Sequence, residues 1–196
     1  MSRTILRCVL AIVAFTAVFG FAYPAVMVGF ASAAFPSQAH GSLLYRNGQV
    51  VGSKLAAQDF HGPRYFHQRP SATTPAYNPA ATTFANYGPA SPDLARAVQQ
   101  QAKAILKLEA PYNPGLTISG IPVDAVTTSG SGVDPDISPA YAHLQARRVA
   151  AVRHLPLATV DKLISQNTTG RSLGVLGEPG VNVLELNLAL DNLGDK

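Results

Sequence analysis

No charged side chain occurs between Arg7 and Arg46, and residues 8–35 are apolar, small or aromatic throughout. That run constrains the chain more than any other feature. About 20 such residues span a bilayer. Within hydrocarbon every backbone N–H and C=O must be satisfied inside the segment, which predicts a helix. Pro24 falls inside the run and predicts a local kink. The competing reading is a cleaved signal peptide, with Arg3 and Arg7 as a positive n-region and Ala31-Ser32-Ala33 as the cleavage site. Signal h-regions run only about 7–15 residues, and this run is much longer, so the expectation is an uncleaved anchor. Either reading keeps Arg3 and Arg7 in the cytoplasm by the positive-inside rule. The chain beyond Phe35 is then expected outside it.

The segments expected are a cytoplasmic N-terminus (1–7), a transmembrane helix (8–35), a linker (36–41) and one extracytoplasmic domain (42–196). That remainder suits a single domain of about 150 residues. Charged residues make up 13 % of the chain, against roughly a quarter in ordinary soluble proteins. The net charge is +4, and Arg3 and Arg7 supply two of those charges. The remaining Lys and Arg are scattered, so no basic stripe for nucleic acid is present. Cys8 is the sole cysteine, which excludes an intramolecular disulfide. It reads as apolar filler at the membrane boundary.

Asn47-Gly48 between two apolar runs predicts a hairpin with strands at 42–46 and 49–53, because a type I′ turn needs positive φ at both central residues. Residues 61–92 contain six X-Pro steps, Ser91-Pro92 the last, and read as one long irregular segment. The aromatics Tyr65, Phe66, Tyr77, Phe84 and Tyr87 argue against simple disorder there. Ser91-Pro92-Asp93 opens a helix to about residue 108, and Ser138-Pro139 opens a second to about 154. A third helix is expected over 159–166. Residues 121–127 and 181–190 read as strands. The fold class is therefore mixed α/β (α+β) with a small sheet, behind one N-terminal transmembrane helix.

Local chemistry does not point to an enzyme. Ser129-Gly130-Ser131-Gly132 is a glycine-rich turn, and such turns present N–H groups to anions, but no G-x-x-x-x-G-K-[ST] motif accompanies it. Ser129 and Ser131 lack a G-x-S-x-G elbow. His61 and His67 near Asp59 match no common zinc spacing. Asp124, Asp134 and Asp136 lack the full calcium-loop pattern. Arg147-Arg148, with Arg153 and His154 beyond, reads as a solvated face or a basic patch for a partner. These residues leave open a membrane-anchored module binding a small ligand through 61–92, and a secreted hydrolase using Ser129 or Ser131.

Longer strings narrow the choice. GSLL at 41–44 is followed by VVGS at 50–53 and QDF at 58–60. PRYFHQRPSA stands at 63–72, with YN at 77–78, and IPVDAVTTSGSGVDPDISPA at 121–140. Gln145 precedes RRVA at 147–150, and LGEPGVNVLELNL stands at 176–188. Together, and in this order, they resemble the C subunit of the bacterial Kdp high-affinity potassium-transporting ATPase. The chain departs from that pattern at 80–90, where AATTFANYGPA replaces a Gly/Ser-rich stretch ending in Ser-Asn-Leu. It departs again at 55–58, with LAAQ for LIGQ.

The resemblance implies an accessory, non-catalytic subunit in a bacterial inner membrane. Its expected partners are a potassium-selective channel-like subunit, a P-type ATPase subunit, a small peptide subunit and membrane lipid, with no nucleic acid. The family has been described as raising the ATP affinity of the ATPase subunit. Within segment 123–134, Ser129, Gly130, Ser131, Gly132 and Asp134, together with Gln145, are the residues implied for that role. No firmly bound cofactor and no metal is expected. ATP is cytoplasmic, whereas the anchor places residues 42–196 outside, which conflicts with direct nucleotide contact and leaves two roles open: biasing the pump's conformational equilibrium toward higher ATP affinity, or stabilising the ion-selecting subunit over the entry of the ion path. In the domain Arg64, Tyr65, Phe66 and Arg69 are candidate docking residues, since Arg and aromatics are favoured at interface cores.

Overall fold

The computed structural model describes residues 2–194. Met1 and residues 195–196, which end two of the expected segments, lie outside the described residues. The chain divides into two compact units, Met1–Val51 and Gly52–Lys196.

The first unit begins with a continuous helical rod over Ser2–Ala34, long and apolar enough to cross a membrane. It consists of α1 (Ser2–Phe15), a π-helical stretch (Thr16–Ala22) and α2 (Tyr23–Ala34). At 1.5 Å per residue the rod is ~50 Å long against a hydrocarbon core of about 30 Å, so a membrane-spanning rod would tilt or extend past the core. The adjustment expected at Pro24 takes the form of the π-helical stretch just before it. There the Tyr23 N–H reaches back five residues to the Val18 carbonyl. Widening the turn relieves the crowding that a proline ring imposes on the preceding turn. Where a linker was expected, Pro36–Ala39 makes one helical turn, α3.

Strands β1 (Leu43–Arg46) and β2 (Gln49–Ser53) form the expected hairpin. Asn47 and Gly48 sit at φ 52° and 78°, the left-handed pair that a type I′ turn demands. β1 and most of β2 fall in the first unit.

The second unit packs helices around a short three-stranded antiparallel sheet. Its strands are β3 (Asp136–Ile137), β4 (Thr168–Thr169) and β5 (Gly180–Asn182), in the order β3-β5-β4. Central β5 pairs Val181 with Ile137 on one side and with Thr168 on the other. Around it lie α4 (Pro92–Glu109), α5 (Val123–Val126), α6 (Pro139–Val152), α7 (Leu157–Gln166) and α8 (Val183–Asn192). The expected caps are in place. Ser91 Oγ accepts from the Asp93 N–H at 3.2 Å, and Ser138 Oγ accepts from the Tyr141 N–H at 3.0 Å. Phe66, Ile105, Ile137, Val149, Val181 and Leu186 lie among the buried core residues.

Two strand expectations are corrected. Residues 121–127 hold the helical turn α5, started by Pro122. Residues 181–190 form strand only up to Asn182 and then turn into α8. Asn182 Oδ1 caps that helix by accepting from the Glu185 N–H at 3.1 Å. The inward residues Val183, Leu184, Leu186, Asn187 and Leu190 follow the three-and-four spacing of a helix face. The Leu184–Leu186–Leu188–Leu190 alternation mimics a strand, but the cap and the core contacts select the helix.

Candidate functional site

The irregular stretch that follows Asp59 is pinned to the helices by side chains. A loop without regular structure leaves its N–H and C=O groups needing partners, and here α6, the Arg153 that caps its C-terminus and α8 supply partners over five consecutive residues. Gln145 on α6 treats His67 as a neighbouring strand would. Its Oε1 accepts from the His67 N–H at 2.7 Å, and its Nε2 donates to the His67 carbonyl at 3.0 Å. Asn187 on α8 does the same for Phe66, at 2.9 and 3.0 Å. Arg148 donates through Nη1 to the carbonyls of Pro63 and of Tyr65, the latter at 2.9 Å. Arg153 donates through Nε to the Arg64 carbonyl at 2.8 Å.

The brace rests on a buried ion pair. Arg148 is fully buried and Glu109 is 1 % exposed. Arg148 Nε donates to Glu109 Oε1 at 2.7 Å, while Nη2 donates to Gln145 Oε1 at 2.9 Å. Burial pushes the Glu109 carboxyl above the ordinary range, and Arg148 pulls the other way. Arg153 pairs with Asp191 at 2.7 Å, and its guanidinium lies 5.0 Å from the centre of the Tyr65 ring. Tyr65 Oη also donates to Asp191 at 3.4 Å. The Arg147-Arg148 patch expected from sequence is thus split. Arg147 is exposed, whereas Arg148 and Arg153 are internal braces.

The implied site residues meet the docking candidates. Asp134 accepts from Arg69 Nη1 at 3.1 Å, Ser71 Oγ donates to the Gly132 carbonyl at 2.6 Å, and Gln145 holds His67. Arg69 joins the two sets directly, and Arg148 links Gln145 to the Tyr65 carbonyl. Within the SGSG turn, Gly132 N–H donates to Ser129 Oγ at 2.9 Å and Val133 N–H donates to Ser131 Oγ at 3.2 Å. Both groups are therefore spent inside the turn rather than offered to an anion. Ser129 is buried, and Gly130 and Ser131 are exposed. Of the docking candidates, Arg64, Tyr65 and Arg69 are half-buried, and Phe66 is 0 % exposed. Phe66 is a core residue and presents no surface to a partner.

The aspartates have structural tasks. Asp124 accepts from the Ser138 N–H at 2.7 Å and from Ser138 Oγ at 2.9 Å. Asp136 accepts from Asn182 Nδ2 at 3.2 Å. No cluster of three metal-ligating side chains occurs among the described residues.

His67 gives the brace a pH dependence. Its Nε2 lies 2.8 Å from the Gly62 carbonyl. Burial, seconded by the Arg148 charge, lowers its pKa below the ordinary 6.5. The unfolded chain then binds the proton more readily. His67 therefore adds stability that is complete above pH 6.5 and is lost as pH falls through the lowered value. Glu109 and Asp136, both raised, carry the opposite slope from their ordinary values upward. Comparing the parent with His67→Asn isolates the histidine. Thermal unfolding of the parent should weaken more between pH 7.5 and 5.5 than that of the variant. Parallel pH profiles would contradict the assignment.

Comparison with known proteins decides the lineage. Residues 5–192 match the family described as K+-transporting ATPase, c chain. A Burkholderia cenocepacia relative is 51 % identical over 193 residues, covering 97 % of each chain. One from Beijerinckia indica subsp. indica is 47 % identical over 182 residues, covering 93 % of this chain and 90 % of the relative. Another from Acidobacterium capsulatum is 50 % identical over 174 residues, covering 89 % and 90 %. Each is named a potassium-transporting ATPase KdpC subunit. This chain belongs to the KdpC family. Three of the strings that suggested the family from sequence, with Gln145, are parts of the brace. The 63–72 string is the pinned loop, Gln145 and the 147–150 string lie on α6, and the 176–188 string carries β5 and the start of α8 with Asn187. Sequence reasoning missed Glu109 and Asn187, and missed that Arg148 and Arg153 face inward. A residue pair such as Glu109 and Arg148, far apart in the chain, leaves no local signal.

Proposed function

We propose that this chain is the accessory, non-catalytic C subunit of an ATP-driven potassium uptake pump in a bacterial inner membrane. Its partners in that reading are a potassium-selecting channel-like subunit, a P-type ATPase subunit and a small peptide subunit. The observation that carries the proposal is the family match over residues 5–192. The helix Ser2–Ala34 anchors the chain, with Arg3 and Arg7 cytoplasmic and the domain outside. ATP binds the ATPase subunit, and the domain raises ATP affinity by biasing the pump's conformational equilibrium rather than by touching nucleotide. The Gly132 N–H, turned inward onto Ser129 Oγ, supports that division of labour. Arg64, Tyr65 and Arg69, on a loop fixed from beneath, form the docking surface.

Purification through a C-terminal tag from membranes of potassium-starved cells tests membership. A co-purifying subunit that is phosphorylated by ATP is expected, and a chain that emerges alone in mild detergent overturns the proposal. Sidedness is tested separately with Cys8→Ser combined with Ser131→Cys, since Ser131 is exposed. A membrane-impermeant maleimide should label this variant in spheroplasts. Labelling only after permeabilisation would place the domain in the cytoplasm.

A further inference from the structure

A cleft of about 450 Å3 opens between the loop after Asp59 and α4, with Tyr141 of α6 on its wall. That volume lies in the range of small-molecule sites. Its wall is partly apolar, from Phe60, Ile105 and Leu108, and partly polar, from Gln68, Glu109 and Tyr141. Two of these side chains hold unmet hydrogen-bonding capacity. Gln68 is 5 % exposed and Glu109 is 1 % exposed. Gln68 Nε2, Gln68 Oε1 and Glu109 Oε2 are buried without a hydrogen-bond partner. A buried polar atom left unpaired costs about 1–3 kcal/mol, so three around one cleft call for an occupant.

The lining sets the chemistry of that occupant. Two acidic residues, Asp59 and Glu109, line the cleft, and among the described residues no lysine or arginine does. Arg148 is engaged behind Glu109, on Oε1. His67 is held toward its neutral form. An anion would therefore meet negative charge with no cation to receive it. Glu109 Oε2 and Gln68 Oε1 require donors, and Gln68 Nε2 requires an acceptor.

We propose that this cleft binds a small amide- or amine-bearing group without negative charge, for which the Glu109 and Gln68 side chains, now beneath its wall, turn to supply Oε2 as acceptor and Nε2 as donor. Binding by the isolated chain stands without membership of a pump; only the source of the bound group rests on that reading. The group can belong to a free metabolite or to a side chain of a neighbouring subunit, since both present the same atoms.

Glycinamide is the probe, because it carries an ammonium and an amide and no carboxylate. N-acetylglycinate is the anionic control. Saturation-transfer NMR on the full-length chain in detergent should show saturable glycinamide binding, with Kd on the order of 1 mM for so small a ligand, and none for the control. Ala104 is exposed on the cleft wall, so Ala104→Trp should fill the cleft and abolish binding without lowering the melting temperature. Gln68→Leu should weaken binding at least tenfold while leaving the fold as stable or more so, because an unpaired buried amide has been removed. Equal binding of the anion, no saturable binding, or a Gln68→Leu chain that melts several degrees lower would each overturn the proposal. The last result would mean that the amide already has an internal partner. Binding that survives in the purified complex assigns the group to a free molecule. Binding that is lost there assigns it to a partner chain.

Discussion

Arg148→Met should lower the stability of the domain by about 3–5 kcal/mol, the cost of breaking a buried ion pair from one side. Methionine keeps most of the volume, so the loss isolates polar chemistry from packing. Glu109, 1 % exposed, would be left as an uncompensated buried carboxyl. The carbonyls of Pro63 and Tyr65 would lose their donor, and Gln145 Oε1 would lose one of its two. The melting temperature should fall by roughly 10 °C, at about 2–4 °C per kcal/mol for a domain of this size. Adding Glu109→Leu should recover part of the loss, because the stranded charge is then gone. Denaturant unfolding of the full chain in mild detergent, followed by circular dichroism, reads both variants. A loss below about 1 kcal/mol for Arg148→Met would place it in the range of an ordinary point mutation and contradict the brace.

Gly132→Ala should cost about 2–4 kcal/mol, and Gly130→Ala two residues earlier should cost less than about 0.5 kcal/mol. The two glycines look alike in the sequence. In the structure Gly132 has φ +73°, where a side chain is strained. A Cβ there would sit 2.6 Å from Thr73 Cγ2 and 2.8 Å from the Thr83 carbonyl oxygen. The threonine side chain can shift, but the backbone oxygen moves only if the loop does. A Cβ on Gly130 meets nothing within 4 Å. Gly132→Ala should therefore also release the 71–83 segment to limited proteolysis, while Gly130→Ala leaves it protected. Equal behaviour of the two variants would show that the SGSG turn is not packed against that loop.

Much of the fold was legible where a local rule had no competitor. Asn47-Gly48 has few alternatives to a tight turn, and Ser91-Pro92 and Ser138-Pro139 join a side-chain cap to a preset φ. Reading failed where two periods fitted one string. Residues 183–190 carry leucine at every second position from 184, and also an Asn182-x-x-Glu185 cap that was available and outweighs the alternation. Arg147 and Arg148 show a different limit. Neighbours on a helix point about 100° apart, so one faces solvent while the other enters the core. Which one enters depends on Glu109, a residue on another helix. The family strings were legible as a resemblance, but that they assemble into a braced loop was not. Side chain-to-backbone pairs such as Gln145 with His67 and Asn187 with Phe66 have no sequence period.

In the proposed assembly this chain completes an ATP-driven potassium pump without hydrolysing ATP itself. The most direct measurement is potassium-stimulated ATPase activity of membranes carrying the other subunits, with and without this chain, across a range of ATP concentrations. Potassium-stimulated hydrolysis is expected only when the full chain is present, with no hydrolysis by the purified chain alone. Potassium-stimulated hydrolysis of equal rate and equal ATP dependence in its absence would contradict it.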